Sequence, residues 1–361
     1  PTVLREYDIR GIIGETLGAD DARAIGRSFG TLLRRAEEAA GAEGMPKVAV
    51  GYDGRVSSPM LEHALVEGLS ASGCDVVRVG MGATPMLYYA EASTEDVKGG
   101  IQITGSHNPP NYNGFKMVFQ GRPFFGADIQ GLGAMAAAGD WTDGAGEVTS
   151  REILGEYVER MLEGLAGIDE AKLSGLKVGW DNGNGAAGPA LEALAARLPG
   201  EHHLLFTEVD GHFPNHHPDP TVEANLADLR ELVAAKNLDF GVAFDGDGDR
   251  LALVLKDYRN WAAMHGGQHH TGFDYFRSHM GKVPYFDETS VAQIRADIKR
   301  GGIPRQSVSV SRFFSARVFL SIAQEMDLGA EALATDMRRH ESADPLRIGA
   351  YCWIGMNAVV L

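Results

Sequence analysis

Apolar residues in the first two thirds of the chain fall into two alternating rhythms. Ala22, Ile25, Phe29, Leu32 and Leu33 recur at helical spacing behind Asp20 and Asp21. That pattern predicts a capped amphipathic helix. Residues 47–53 (KVAVGYD) form a short apolar run suited to a buried strand. Ser58 and Pro59 then open a second helix with Leu61, Leu65 and Leu69 on one face, the serine read as N-cap and the proline as first turn. Further strands are predicted at 75–80 and 100–104. This order points to an α/β unit with a largely parallel sheet.

A second cycle starts with a helix carrying Ile153, Leu154, Tyr157, Val158, Met161 and Leu165. Strands are predicted at 176–181, 204–209 and 238–245, with helices between them. The stretch 121–146, rich in glycine and alanine, leads into a boundary near residue 150. The expected fold class is α/β: two successive mixed or largely parallel domains, at 1–150 and 151–255, and an unassigned region at 256–361. In that last region the pattern turns irregular, with a loop at 265–270 and helices expected at 291–299 and 316–326.

A length of 361 residues, 44% of them hydrophobic, is ample for more than one packed core. The formal net charge of −16 disfavours nucleic acid or an anionic membrane as partner, though local cations can still hold a small anion. Only Cys74 and Cys352 occur, so no disulfide framework is expected. Arg5, Glu6, Asp8 and Arg10 do not read as a signal peptide, and no apolar run approaches the roughly 20 residues of a membrane span. A soluble cytoplasmic protein with no obligate protein partner is expected.

Three constellations carry candidate chemistry. Thr104-Gly105-Ser106-His107-Asn108-Pro109 follows an apolar strand, where glycine permits a tight turn and proline fixes the exit. Its serine can accept phosphate if a cation offsets the charge, with His107 and Lys116 close in sequence; an ordinary polar turn is the competing reading. Asp245-Gly246-Asp247-Gly248-Asp249-Arg250 places three carboxylates at alternating positions, able to face one hard cation. An EF-hand would need glycine at the sixth position and glutamate at the twelfth, which hold Arg250 and Lys256, so metal binding of another kind competes with a solvated acidic turn. Asp181-Asn182-Gly183-Asn184-Gly185-Ala186-Ala187-Gly188 contains a G-x-G-x-x-G after a strand. It suits either a dinucleotide loop, with Glu201 or Glu208 as ribose partner, or a plain strand-to-helix turn. His202, His203, His212, His216 and His217 lack zinc-site spacing and read as loop residues.

Taken in order, these segments resemble the α-D-phosphohexomutases, in particular the phosphomannomutase/phosphoglucomutase group. The likeness also includes Arg5-Glu6-Tyr7-Asp8-Ile9-Arg10-Gly11, Gly51-Tyr52-Asp53-Gly54-Arg55, Asn113-Gly114-Phe115-Lys116 and Phe213-Pro214-Asn215-His216-His217-Pro218-Asp219-Pro220. It implies that Ser106 carries phosphate and, with Asp245, Asp247 and Asp249, holds Mg²⁺. It further implies catalytic roles for Arg10, His107, Lys116 and Arg250, a substrate role for Tyr7, and a structural turn at 183–188. The implied reaction interconverts hexose 1-phosphate and hexose 6-phosphate, of mannose or glucose, through a hexose 1,6-bisphosphate.

Members of that family continue with a sugar-selecting Gly-Glu-Met-Ser-Gly loop and a phosphate-binding domain; neither motif follows Arg250 in this sequence. An inactive or substrate-binding remnant of the family is therefore the alternative. Near the end, Ile348-Gly349 and Ile354-Gly355 resemble a hexapeptide repeat of left-handed β-helix acyltransferases. Two turns fall short of the roughly three repeats a stack needs, and a chance apolar strand is expected there.

Overall fold

The computed structural model describes residues 3–255, apart from positions 6, 43 and 167. The expected loop at 265–270, the helices at 291–299 and 316–326, Cys352, the two Ile-Gly steps and the unassigned region as a whole lie outside the described residues.

Seven strands build the first sheet: β1 (Ile9–Ile12), β2 (Lys47–Tyr52), β3 (Asp75–Met81), β4 (Val97–Ile103), β5 (Tyr112–Phe119), β6 (Arg122–Pro123) and β7 (Val148–Ser150). Their spatial order is β1-β5-β4-β2-β3-β7, with β6 beside β5. Strands β4, β2, β3 and β7 are parallel, whereas β5 runs antiparallel to both β4 and β1. The sheet is mixed. Helices α1 (Ala19–Ala39), α2 (Ser58–Ala71), α3 (Thr84–Ser93) and α4 (Ala127–Ala138) cover it.

Alternation along β2 assigns helices to the two faces. Val48 and Val50 join Phe29 and Leu33 of α1 and Leu61, Leu65 and Leu69 of α2. Ala49, between them, joins Met86, Leu87 and Ala90 of α3. Burial on both sides is why this strand reads as a continuous apolar run.

The helix starts differ in detail from expectation. Asp21 accepts the Gly18 N–H at 2.9 Å, so one of the two acids does secure the start of α1. Ser57, not Ser58, precedes α2; the Ser58 hydroxyl donates to Asp53 Oδ1 at 2.6 Å. The 121–146 stretch holds β6 and α4, whose Ile129 and Leu132 are part of the first core.

The second sheet contains β8 (Lys177–Asp181), β9 (Glu201–Leu205), β10 (Phe240–Phe244) and β11 (Leu251–Leu255), in the order β11-β10-β8-β9. All but the antiparallel β10–β11 pair are parallel. Helices α5 (Leu154–Glu163), α6 (Glu170–Ser174), α7 (Gly188–Ala195) and α8 (Ala227–Lys236) accompany it. The strand expected at 204–209 begins earlier, because Glu201 pairs opposite Lys177 and Phe206 turns left-handed at φ 53°. Leu229 and Val233 of α8 pack with Ala243, Ala252 and Val254 in the core of this sheet. Ile153, Tyr157, Ala187 and Ala190 instead join the α3 cluster, so an apolar core runs between the two sheets.

Chain segments leaving the carboxyl ends of β2, β4, β8 and β10 carry Arg55, Ser106, Asn182 and Asp245. That is where open α/β sheets place ligands. Among the described residues no helix is long and apolar enough to cross a membrane.

Candidate active site

The loop after β4 is held from beneath by one buried arginine. Arg55, 1% exposed, donates Nη2 to the carbonyls of Ser106 and Asn108, both at 2.7 Å, and Nη1 to those of Pro109 and Tyr112 at 2.6 and 3.0 Å. Its Nε donates to Asp53 Oδ2 at 3.1 Å, which uses all five guanidinium N–H groups. Asp53 also accepts from the Thr104 hydroxyl at 2.8 Å and the Gly105 N–H at 3.1 Å. Gly105 is required here, since a Cβ would lie 2.3 Å from Arg55. On this frame Ser106 adopts φ 51°, a left-handed conformation that costs a non-glycine residue about 1–2 kcal/mol.

The Ser106 hydroxyl is fully buried and donates to Asp245 Oδ2 at 3.0 Å, across 139 residues of chain. The serine and the acidic loop therefore form one site. Asp245, Asp247 and Asp249 are buried, with ligand oxygens within 4.8 Å of one another. Asp245 Oδ1 is occupied by the N–H groups of Asp249 and Arg250, each at 3.0 Å. Lys116, on β5, reaches Asp247 Oδ2 at 2.7 Å and Asp249 Oδ2 at 2.5 Å.

Burial and mutual repulsion set the electrostatics. Burial first, then Asp247 and Asp249, push the Asp245 carboxyl well above the usual carboxylate range. Asp249 is raised by burial and Asp247. Burial opposes ionisation of Asp247 too, but Lys116 and hydrogen bonds from Lys116 and Thr84 hold it below its ordinary value. Lys116 is driven the other way: burial disfavours its charge, and the two aspartates overcome that and raise it. Among the described residues, Asp247 Oδ1 and Asp249 Oδ1 are buried without a hydrogen-bond partner. Two unpartnered oxygens in an all-oxygen cluster suit a hard divalent cation, which prefers oxygen ligands.

Around this cluster stand the other expected residues. Arg250 Nη1 lies 2.7 Å from His107 Nδ1, and an arginine can only donate, so Nδ1 is an acceptor. Ser106 Oγ lies 3.3 Å from the same nitrogen. Burial, then Arg250, lowers the imidazole to about 4, so the ring is neutral near pH 7 rather than poised at its unperturbed value. Arg10, on β1, donates to the Gly105 carbonyl at 3.1 Å and pairs with Asp8. Tyr7 differs from the rest: it is 78% exposed and its ring stacks beside Phe125.

Sequence reading assigned no role to several residues that shape the site. Arg55 and Asp53 belong to the Gly51-Tyr52-Asp53-Gly54-Arg55 motif, where two charges directly after a buried strand are the signal. Thr84, whose hydroxyl and N–H both reach Asp247, had no signal beyond preceding Pro85. His217 donates through Nε2 to the His107 carbonyl at 2.6 Å. Residues 183–187 form a strand-to-helix turn and Gly188 opens α7, and the Ala186 N–H donates to the Gly246 carbonyl at 2.9 Å, buttressing the acidic loop. The remaining histidines bond elsewhere: His202 to Trp180, His203 to Glu201, His212 to Asp210 and His216 to Asp181.

Comparison with known proteins agrees with this arrangement. Residues 2–142 match the family model for phosphoglucomutase/phosphomannomutase, alpha/beta/alpha domain I, and residues 155–259 that for domain II. Phosphomannomutase/phosphoglucomutase of Pseudomonas aeruginosa is 45% identical over 253 residues, covering 70% of this chain and 52% of that protein. Phosphoglucomutase of Neisseria meningitidis is 43% identical over 258 residues, covering 71% and 53%. The crystal structure of a phosphoglucomutase/phosphomannomutase family protein from Burkholderia thailandensis superposes with a TM-score of 0.65 at 45% identity, covering 71% of this chain and 55% of that one. The chain thus spans about half the length of the curated relatives it matches. Over residues 2–259 it belongs to the phosphoglucomutase/phosphomannomutase family.

Proposed function

We propose that this chain carries the phosphoryl-transfer centre of a phosphohexomutase, with Ser106 as the phosphate acceptor and Asp245, Asp247 and Asp249 as ligands of Mg²⁺. The observation that supports it most is the 3.0 Å contact between Ser106 Oγ and Asp245, which joins a nucleophile to a cation cage. The substrates are hexose phosphates of mannose or glucose, and hexose 1,6-bisphosphate is the phosphate donor to Ser106. The units at 1–150 and 151–255 supply this centre, and a cytoplasmic setting accords with Cys74, a buried thiol without a disulfide among the described residues.

Phosphoserine brings a charge of roughly −1.5 to −2 into a site already rich in carboxylates. A divalent cation bound there lowers that repulsion and polarises the transferring group. Arg10, Lys116 and Arg250 stabilise the phosphoryl oxygens, where this chemistry gains most. When Ser106 takes phosphate, a bond forms between Oγ and phosphorus and the sugar O–P bond breaks. The hydroxyl proton passes to His107 Nδ1, 3.3 Å from Oγ, once the Arg250 guanidinium that donates to that nitrogen turns to the incoming phosphoryl oxygens. The departing sugar oxygen takes a proton from solvent and leaves as a hydroxyl; donation of the phosphate to a sugar hydroxyl reverses both transfers, that hydroxyl releasing its proton and His107 returning its own to Oγ. Tyr7, exposed to solvent, contacts substrate.

The test is to incubate the full chain with glucose 1,6-bisphosphate and Mg²⁺ and map phosphate by mass spectrometry. Phosphate on Ser106 is the expected result, and none on that peptide overturns the assignment. A coupled assay with glucose 1-phosphate and mannose 1-phosphate then reads turnover. Phosphate on Ser106 without turnover would favour the substrate-binding remnant.

A further inference from the structure

We infer that Thr84 is a positioning residue for the cation cage: it turns Asp247 so that Oδ1 is the oxygen presented to the metal. The inference rests on the cation reading above. Thr84 opens α3, but its hydroxyl does not cap that helix, whose N-cap is Ala83. The hydroxyl donates instead to Asp247 Oδ2, from 163 positions away in the chain. The Thr84 N–H donates to the Asp247 carbonyl oxygen at 2.8 Å. One fully buried residue thus grips both the side chain and the backbone of Asp247.

The physical need follows from carboxylate symmetry. Rotation about the last side-chain torsion exchanges the two oxygens, and that torsion is broad and nearly two-fold in an unrestrained aspartate. A donor on one oxygen removes the degeneracy. Thr84 and Lys116 both hold Oδ2, and Oδ1 is left buried without a partner. Lys116 divides its donors between Asp247 and Asp249 Oδ2 at 2.5 Å, whereas the Thr84 hydroxyl serves Asp247 alone. The first sheet unit therefore contributes the orientation of a ligand as well as the nucleophile. Partners of metal ligands typically govern affinity by about 10- to 100-fold.

The experiment measures Mn²⁺ binding to the full chain by electron paramagnetic resonance, alongside the rise in melting temperature that Mn²⁺ produces over each variant's own metal-free baseline. Thr84→Val keeps shape and backbone N–H but removes the hydroxyl; Thr84→Ser keeps the hydroxyl; Thr84→Ala is a second hydroxyl-free variant should valine prevent folding. Weakening of Mn²⁺ binding by about 10- to 100-fold is expected for the hydroxyl-free variants. The serine variant should bind within a few-fold of the parent. Equal binding by all variants overturns the inference. So does equal weakening by serine and valine, which would assign the effect to the lost methyl packing. If the parent itself binds no Mn²⁺, the cation reading fails instead, and the two failures are told apart.

Discussion

Gly246 lies directly against the Ser106 carbonyl: a Cβ at Gly246 would come within 2.5 Å of that oxygen. The acidic loop and the serine loop meet backbone to backbone, and only the missing side chain lets Ser106 Oγ reach Asp245. Gly246→Ala should force them apart. Overpacking of this kind costs about 1–3 kcal/mol. Thermal melting should register that loss, with weaker Mn²⁺ binding beside it. A variant matching the parent in both measurements would show that the close approach is unimportant.

Ser106→Ala removes the proposed acceptor and its hydrogen bond to Asp245 while keeping a residue of similar size. Incubation with glucose 1,6-bisphosphate and Mg²⁺ should leave the intact mass unchanged. Addition of one phosphate to the same peptide would assign the chemistry to another side chain.

Arg55→Lys keeps a charge but replaces a five-donor fork with a three-donor point charge. The carbonyls of Ser106, Asn108, Pro109 and Tyr112 cannot all be served from one ammonium group. Loss of a buried, paired arginine destabilises by about 3–5 kcal/mol, and retention of the charge should keep this variant at the lower end. Urea unfolding measures the stability, and the rate of Ser106 phosphorylation should fall with it. Stability within experimental error of the parent would sink the claim that this side chain shapes the loop.

His216 supplies the pH dependence. Its Nε2 lies 3.0 Å from Asp181 Oδ2 and its Nδ1 lies 3.1 Å from the His217 carbonyl, so both ring nitrogens face acceptors. Burial opposes protonation, yet the bond to Asp181 and its charge raise the imidazole above its ordinary value. A raised folded-state value stabilises fully below the unfolded value, about pH 6.5, and the contribution fades as pH climbs through the folded one. Melting of the parent and of His216→Asn should therefore differ most on the acid side and converge with rising pH. A gap that is constant or widens towards alkaline pH contradicts the assignment.

Local chemistry was readable in the sequence; contacts made over long separations were not. The acidic loop announces itself because its three carboxylates are near neighbours, and the serine loop because glycine and proline frame it. Strand β5, which carries Lys116, has no such local signature. Six of its eight residues are buried, so no polar alternation marks it, and Gly114 interrupts the apolar run. The grip of Thr84 on Asp247 and of Arg55 on the serine loop depends on sheet order, which brings distant strand ends together. Likewise the lowered His107 follows from burial beside Arg250, a tertiary property that residue type does not encode.

Ala49, Leu87, Tyr157 and Ala190 belong to a single apolar cluster drawn from β2, α3, α5 and α7. Severing the chain near residue 150 would strip each portion of its counterpart and leave a greasy flank on both. The two sheets should therefore melt together, since each supplies part of the cluster on which the other packs.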